Sequence, residues 1–373
     1  MSQLEPDRSA RVSTLDLFFD LVFVFTITQL TAVLVDRGGA AAVAQVVVMF
    51  ALIWWMYDGY AWLTNAIATD HNRHCLLLIG GMGAFLVISL AVPQAFGGKG
   101  LAFGIGYFAV VILHAGMYLR GTSLSEVRAI LRLVPFNLAA AAFILLGGAL
   151  GGDVQWILWT LAALLLWVTP WFTSMEGFVV APEHFVERHG LVVIVALGES
   201  IVVIGAAADL ELDAGLVLVV LLALGLTASL WWLYFSDEGS VEAAMQAAPS
   251  ERRPRLALTA FGYWHYGLLL GVVALAAGLK KAVGDAYDPL AGLIAVELGV
   301  GVALFVACEV GFRRTLGIER SGIRLGAAAA ALATIPLGTE VAAAAQVGVL
   351  ATIIAVALVV EGSLGQRSDP LPS

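Results

Sequence analysis

The sequence predicts an all-α integral membrane protein of about 12 transmembrane helices, arranged as two parallel six-helix repeats related by a pseudo-twofold axis along the membrane normal. Three observations carry this. Hydrophobic residues make up 61% of the chain and charged residues 13%, with long apolar runs following one another almost end to end. Backbone groups in hydrocarbon must bond within their own segment, so such runs are helices. Finally, Phe19-Asp20-Leu21-Val22-Phe23-Val24-Phe25-Thr26-Ile27-Thr28-Gln29 lies over His189-Gly190-Leu191-Val192-Val193-Ile194-Val195-Ala196-Leu197-Gly198-Glu199.

The first run, 15–35, holds Asp20 and closes its copy of the motif on Gln29. The second, 40–64, holds Trp54-Trp55-Met56-Tyr57 and then Asp58. The third, 74–95, begins beside Cys75, and the fourth, 100–120, carries His114. The fifth, 128–150, opens on Arg128 and Arg132 and ends in Gly147-Gly148, small residues that let helices approach closely. The sixth, 154–175, completes the first repeat, assigned to residues 1–178. The seventh, 186–208, opens the second repeat, 179–373, with Glu199 and Ser200 deep in it. The eighth, 214–237, repeats the aromatic motif as Trp231-Trp232-Leu233-Tyr234. The ninth, 255–279, carries His265, and the tenth, 289–312, carries Glu297 and Gly299-Val300-Gly301. The eleventh, 322–339, follows Arg320 and Arg324, which answer Arg128 and Arg132; the twelfth is 341–361.

Assigning charges to loops tests this count, because short cytoplasmic loops retain basic residues. With the N-terminus inside, every Lys and Arg falls on the cytoplasmic side except Arg37, Lys99, Lys280 and Lys281. Both termini are therefore expected in the cytoplasm, and the membrane is expected to be the bacterial inner one. The first run is too long for a signal sequence and lacks a cleavage pattern. Cys75 and Cys308 have no CxxC spacing, so neither a disulfide framework nor a structural zinc site is expected.

Polar side chains inside such helices are expensive and mark sites. Asp20, Asp58 and His114 each fall roughly 9 Å inside the cytoplasmic boundary at 1.5 Å of rise per residue. Two carboxylates and an imidazole at one level suit a proton relay, a cation site or a charge cluster with Arg120 or Arg132; a structural network locking the helices together is the alternative. Glu199 and Gln29 sit near the midplane, with Glu297 at a similar level and His265 a little below it. Glu199, with Ser200 beside it, is the candidate proton-coupling residue, or else a carboxyl hydrogen-bonded to a neighbouring helix. Trp54, Trp55, Tyr57, Trp231, Trp232 and Tyr234 read either as an aromatic belt or as a lining for an organic cation or lipid.

The sequence contains no Walker A motif, no GxGxxG after a strand, no HExxH and no GxSxG. No cofactor or metal is expected, and no basic aromatic surface suggests nucleic acid. The expected partners are membrane lipid and a small solute or ion.

The run Asp16-Leu17-Phe18-Phe19-Asp20-Leu21-Val22-Phe23-Val24-Phe25, the stretch from Glu187-Arg188-His189-Gly190-Leu191 to Leu197-Gly198-Glu199-Ser200-Ile201, and the Trp-Trp-x-Tyr segments resemble the bacterial low temperature requirement A family over about residues 12–360. The resemblance implies a polytopic bacterial inner-membrane protein linked by name to growth in the cold, and brings no substrate, reaction or catalytic residue with it. Phe19-Asp20 is also similar to the Phe-Ser-Asp signature of a potassium channel family of two six-helix repeats, but Phe19 replaces the Ser and the second copy has His189-Gly190.

The residues themselves suggest a secondary transporter or ion pathway coupled to protons through Glu199 and Asp20. An integral-membrane enzyme using Glu199 or Asp20 as general acid on a lipid or isoprenoid is the alternative, and a structural or regulatory membrane protein is a third.

Overall fold

The computed structural model describes residues 12–67, 72–205, 213–284, 286–318 and 322–368. Helices account for nearly all of them: α1 Thr14–Arg37, α2 Gly39–Ala66, α3 Asn72–Ala91, α4 Gly100–Gly121, α5 Leu124–Leu150, α6 Gly152–Phe172, α7 Pro182–Gly205 and α8 Ala214–Phe235. There follow α9 Glu238–Ala247, α10 Arg253–Gly284, α11 Gly292–Thr315, α12 Gly322–Leu332, α13 Ile335–Glu340 and α14 Ala343–Ser368. Among the described residues, 11 segments are long and apolar enough to cross a membrane; α12 and α13 together form one of these, and α7, of 24 residues, is a further long helix. Their outward faces carry large apolar side chains such as Leu76, Phe172 and Val359, as expected of surfaces solvated by lipid tails.

Local chemistry sets the ends. Ser13 and Asp16 cap α1 reciprocally: the Ser13 hydroxyl donates to Asp16 Oδ2 at 2.7 Å, and the Asp16 amide donates to Ser13 Oγ at 3.1 Å. Ser123 and Glu126 do the same for α5, and Asp213 accepts from the Leu216 amide at 2.7 Å to start α8. The α5–α6 turn is held in the left-handed region by Gly151 and Gly152, at φ 69° and 56°.

Four expectations are corrected. The run 322–339 is not one helix: it breaks after Leu332 and restarts with Pro336 in the first turn of α13. Proline has no N–H to give the preceding turn, and its ring clashes with the carbonyl four residues back. The eighth helix ends at Phe235, and α9, unforeseen, buries Val241 and Met245 at i, i+4. Helix α10 runs through Leu258–Trp264 as a π-turn and extends to Gly284, so Lys280 and Lys281 are helical rather than in a loop. Arg37 is likewise the last residue of α1. Arg320, of the duplicated arginine pair, lies outside the described residues.

The chain forms two compact units. The first holds most of α1, α2 from Ala40, all of α3 to α6, α7 as far as Val195, and residues 245–258. The second holds residues 34–39, 196–244 and 259–373. Glycines set the close helix pairs within each. A Cβ on Gly104 would stand 2.7 Å from Leu145 Cα on α5, and one on Gly106 would stand 2.9 Å from Ile88 Cγ1 on α3. In the second unit, a Cβ on Gly299 would stand 2.8 Å from Ile335 Cγ1, and one on Gly301 2.7 Å from the Leu275 amide on α10. Small residues at these points allow backbones to meet where burial of apolar side chains drives nothing.

Candidate functional site

The cap on α1 places Asp16 one turn below Asp20, so both carboxylates share one helix face. On α7, His184 and Arg188 have the same spacing and bring two basic groups to the acids. Arg188 grips Asp20 with both ends of its guanidinium, Nη2 to Oδ1 at 3.0 Å and Nη1 to Oδ2 at 3.2 Å, and reaches Asp16 Oδ1 at 3.6 Å. His184 Nε2 lies 3.7 Å from Asp16 Oδ2, and the Tyr57 hydroxyl donates to Asp20 Oδ1. The Arg188 guanidinium also lies over the rings of Phe19 and Tyr57. Asp16, Asp20 and Arg188 are each 1% exposed, so two carboxylates meet one guanidinium almost without water.

The next residue of α7 makes a second contact of a different kind. His189 Nδ1 lies 2.9 Å from the Phe185 carbonyl, which can only accept, so Nδ1 carries a hydrogen. His189 Nε2 lies 3.0 Å from Asp58 Oδ1 on α2. A carboxylate facing an unprotonated nitrogen would leave two acceptors in contact. One proton therefore lies between Asp58 and His189, on the ring or on the carboxyl.

Asp58 also lines a cavity of about 50 Å³ within the first unit, with Trp55, Trp62, His114, Tyr118 and Asn137 among its walls. The Trp55 indole N–H donates to Asn137 Oδ1 at 3.1 Å, which fixes both side chains at the rim. His114 Nε2 donates to the Gly59 carbonyl at 2.9 Å. The three residues placed at one depth by the sequence thus go separate ways: Asp20 to Arg188, Asp58 to His189, His114 to backbone.

In the second unit, His265 is closed. Its Nδ1 donates to the Ala260 carbonyl across the π-turn at 3.1 Å, and its Nε2 accepts from the Tyr234 hydroxyl at 2.7 Å. Because the tyrosine supplies its own hydrogen, both ring nitrogens of the neutral tautomer are satisfied. Arg324 is surrounded by Glu309, by Glu361 at 2.9 Å and by the Leu233 carbonyl at 3.0 Å, while Arg313 pairs with Asp237 at 2.6 Å.

Glu199 is 2% exposed, and Ser200 beside it is fully buried with no hydrogen bond from its hydroxyl. Gln29 is half-buried. Glu297 is 7% exposed, and its Oε1 has no hydrogen-bond partner. The duplicated aromatics divide: Trp54 and Tyr57 are buried in a cluster with Phe23, whereas Trp231 and Trp232 are exposed and Tyr234 turns inward to His265. Sequence reasoning missed Asp16, His184, Arg188 and His189 as partners; the signal available was the matched i, i+4 spacing of acids on one helix and bases on another.

A family model described as the bacterial low temperature requirement A protein matches residues 11–360. An uncharacterized protein of Rhizobium meliloti (strain 1021) is 28% identical over 312 residues, covering 80% of this chain and 76% of that one.

Proposed function

We propose, from the premise that this chain belongs to the bacterial low temperature requirement A family, that it is a proton-coupled secondary transporter of the cytoplasmic membrane, with both termini inside. The observation that carries this reading is the 3.0 Å contact between Asp58 and His189, a pair able to share a proton, at the edge of a cavity large enough for a small solute. A solute that changes the field at Asp58 changes how firmly that proton is held. Coupling needs no more than this. The Asp16, Asp20, Arg188 cluster beside it acts as the fixed fastening of α1 to α7. Glu199, ten residues further along α7 and about 15 Å from His189 by helical rise, is the second titratable station on the same helix.

Internal duplication supports two six-helix repeats as the framework. In α4, Gly104 packs on α5 and Gly106 on α3, while Gly80 of α3 faces Leu113. In α11, Gly299 packs on α12 and α13, and Gly301 on α10, while Gly267 of α10 faces Cys308. Gly80, Ala84 and Ile88 on α3 thus match Gly267, Gly271 and Leu275 on α10, in the same order and against the same partner positions. Gln155 and Gln346, at equivalent points early in α6 and α14, also both donate to backbone carbonyls, those of Ala95 and Ala295.

The test is proton movement in proteoliposomes, read by an internal pH-sensitive dye during a panel of inorganic cations, organic ammonium ions and neutral solutes. Asp58→Asn and Glu199→Gln keep the shape of each side chain and remove its titration, so each should abolish solute-driven proton flux while the folded protein persists. Unchanged coupled flux in Asp58→Asn, beside an unchanged melting curve, would remove the pair from the mechanism.

One observation favours a second reading, an enzyme acting on a lipid or isoprenoid. A cleft of about 390 Å³ between α1 and α7, lined by Leu17, Phe18, Leu21, Leu191 and Ile194, reaches Asp20 from an apolar exposed face. Turnover of a lipid by purified protein, lost in Asp20→Asn, would establish it.

A further inference from the structure

We infer that the cavity beside Asp58 binds a small organic ammonium ion, with Asp58 as its counter-ion and aromatic rings as its walls. Beside the imidazole of His114, four rings line the space, those of Trp55, Trp62, Tyr118 and Phe178, whose electron-rich π-systems attract cations when water is excluded. Trp62 is held by edge contacts to Phe178 and Phe185, with centroids at 5.6 and 5.2 Å, so the wall exists before a ligand arrives. Asp58 is the carboxylate in this lining, and neither Lys nor Arg is among the lining residues described. A volume of about 50 Å³ holds on the order of three or four waters, which is the size of an alkylammonium with one to three carbons. An anion would meet a carboxylate there; a neutral solute would offer that carboxylate at most a hydrogen bond and no charge.

The charge of Asp58 is already claimed on its other side by His189. A bound cation and the His189 ring then compete for one carboxylate. The remaining titratable and charged groups around the pair are Asp20 on α1, Tyr57 on α2, Arg188 on α7, and His114 and Tyr118 on α4. Asp20 and Tyr57 are already engaged with Arg188 or with each other, and His114 with the Gly59 carbonyl, so they form a fixed background. This competition rests on the transport reading above, whereas the binding site rests on the cavity alone.

Binding is measured on the full chain in detergent, by displacement of radiolabelled methylammonium with isopropylammonium and with its uncharged analogue isopropanol. The expected result is saturable methylammonium binding, displaced by isopropylammonium at concentrations at least tenfold below those needed for isopropanol. Asp58→Asn should abolish it, and Trp62→Leu should weaken it about tenfold, with melting curves showing that each variant is folded. No saturable binding, or equal displacement by isopropanol, overturns the inference. Selective binding with no proton movement in proteoliposomes confirms the site and overturns the transport reading instead.

Discussion

His189 and Arg188 are neighbours in sequence, yet their chemistry diverges because α7 turns them toward different partners. Arg188 meets two acids and a tyrosine and has no freedom left. His189 meets one acid across a single proton. Replacing Arg188 by Leu strands Asp16 and Asp20 in a site without water, which should cost about 3–5 kcal/mol of stability, read as a lowered melting temperature in detergent. Arg188→Lys should recover only part of that, since an ammonium cannot grip Asp20 with two parallel bonds. Asp20 and Asp58 were legible in the sequence as carboxylates inside apolar runs. Their partners were not: the matched i, i+4 spacing of Asp16 with Asp20 and of His184 with Arg188 lies within each helix, and nothing in the sequence sets one helix against the other across 168 or 131 residues.

Helix identity followed from apolar runs; helix geometry depended on residues that break the backbone ladder. Pro336 interrupts the eleventh run, and the π-turn at Leu258–Trp264 brings the Ala260 carbonyl to the ring of His265. Neither changes composition enough to show in a hydropathy reading. The glycines of α4 supply a contrast that tests the packing directly. A Cβ at Gly106 meets Ile88 Cγ1 at 2.9 Å and the Ala84 carbonyl at 3.1 Å, whereas one at Gly116 meets nothing within 4 Å. Gly106→Ala should destabilise by about 1–3 kcal/mol through overpacking. Gly116→Ala, relieved of glycine's entropic cost in a helix, should be neutral or stabilising by up to about 1 kcal/mol. Opposite signs in thermal unfolding would establish that α3 and α4 are pinned at Gly106, and equal effects would refute it. The duplicated Trp-Trp-x-Tyr motif shows the same limit of sequence. Trp54 is buried against Phe23 while Trp231 is exposed, since identical residues on two helices acquire different neighbours.

At the scale of the whole chain, the sequence repeat and the compact units do not divide at the same place. The repeat boundary inferred from duplicated motifs falls near residue 178, but the first compact unit continues to Val195 and takes in residues 245–258. Asp20 and Asp58, before that boundary, find Arg188 and His189 on α7, after it. Arg255 likewise donates to the carbonyl of Thr173 across that boundary. A fragment of residues 1–178 would thus bury three acids, Asp16, Asp20 and Asp58, with none of these basic partners, a burden that buried ionisable groups do not bear unpaired. Expressed alone, that fragment should be unstable and degraded in the membrane. Co-expressed with residues 179–373 it should be protected and should co-purify, because α7 then supplies Arg188 and His189 in trans. Arg188→Leu combined with His189→Leu in the second fragment should abolish the rescue. Accumulation of a folded 1–178 fragment without its complement would show that the first repeat is self-sufficient, and that the ion pairs to α7 are additions to a completed fold rather than conditions for it.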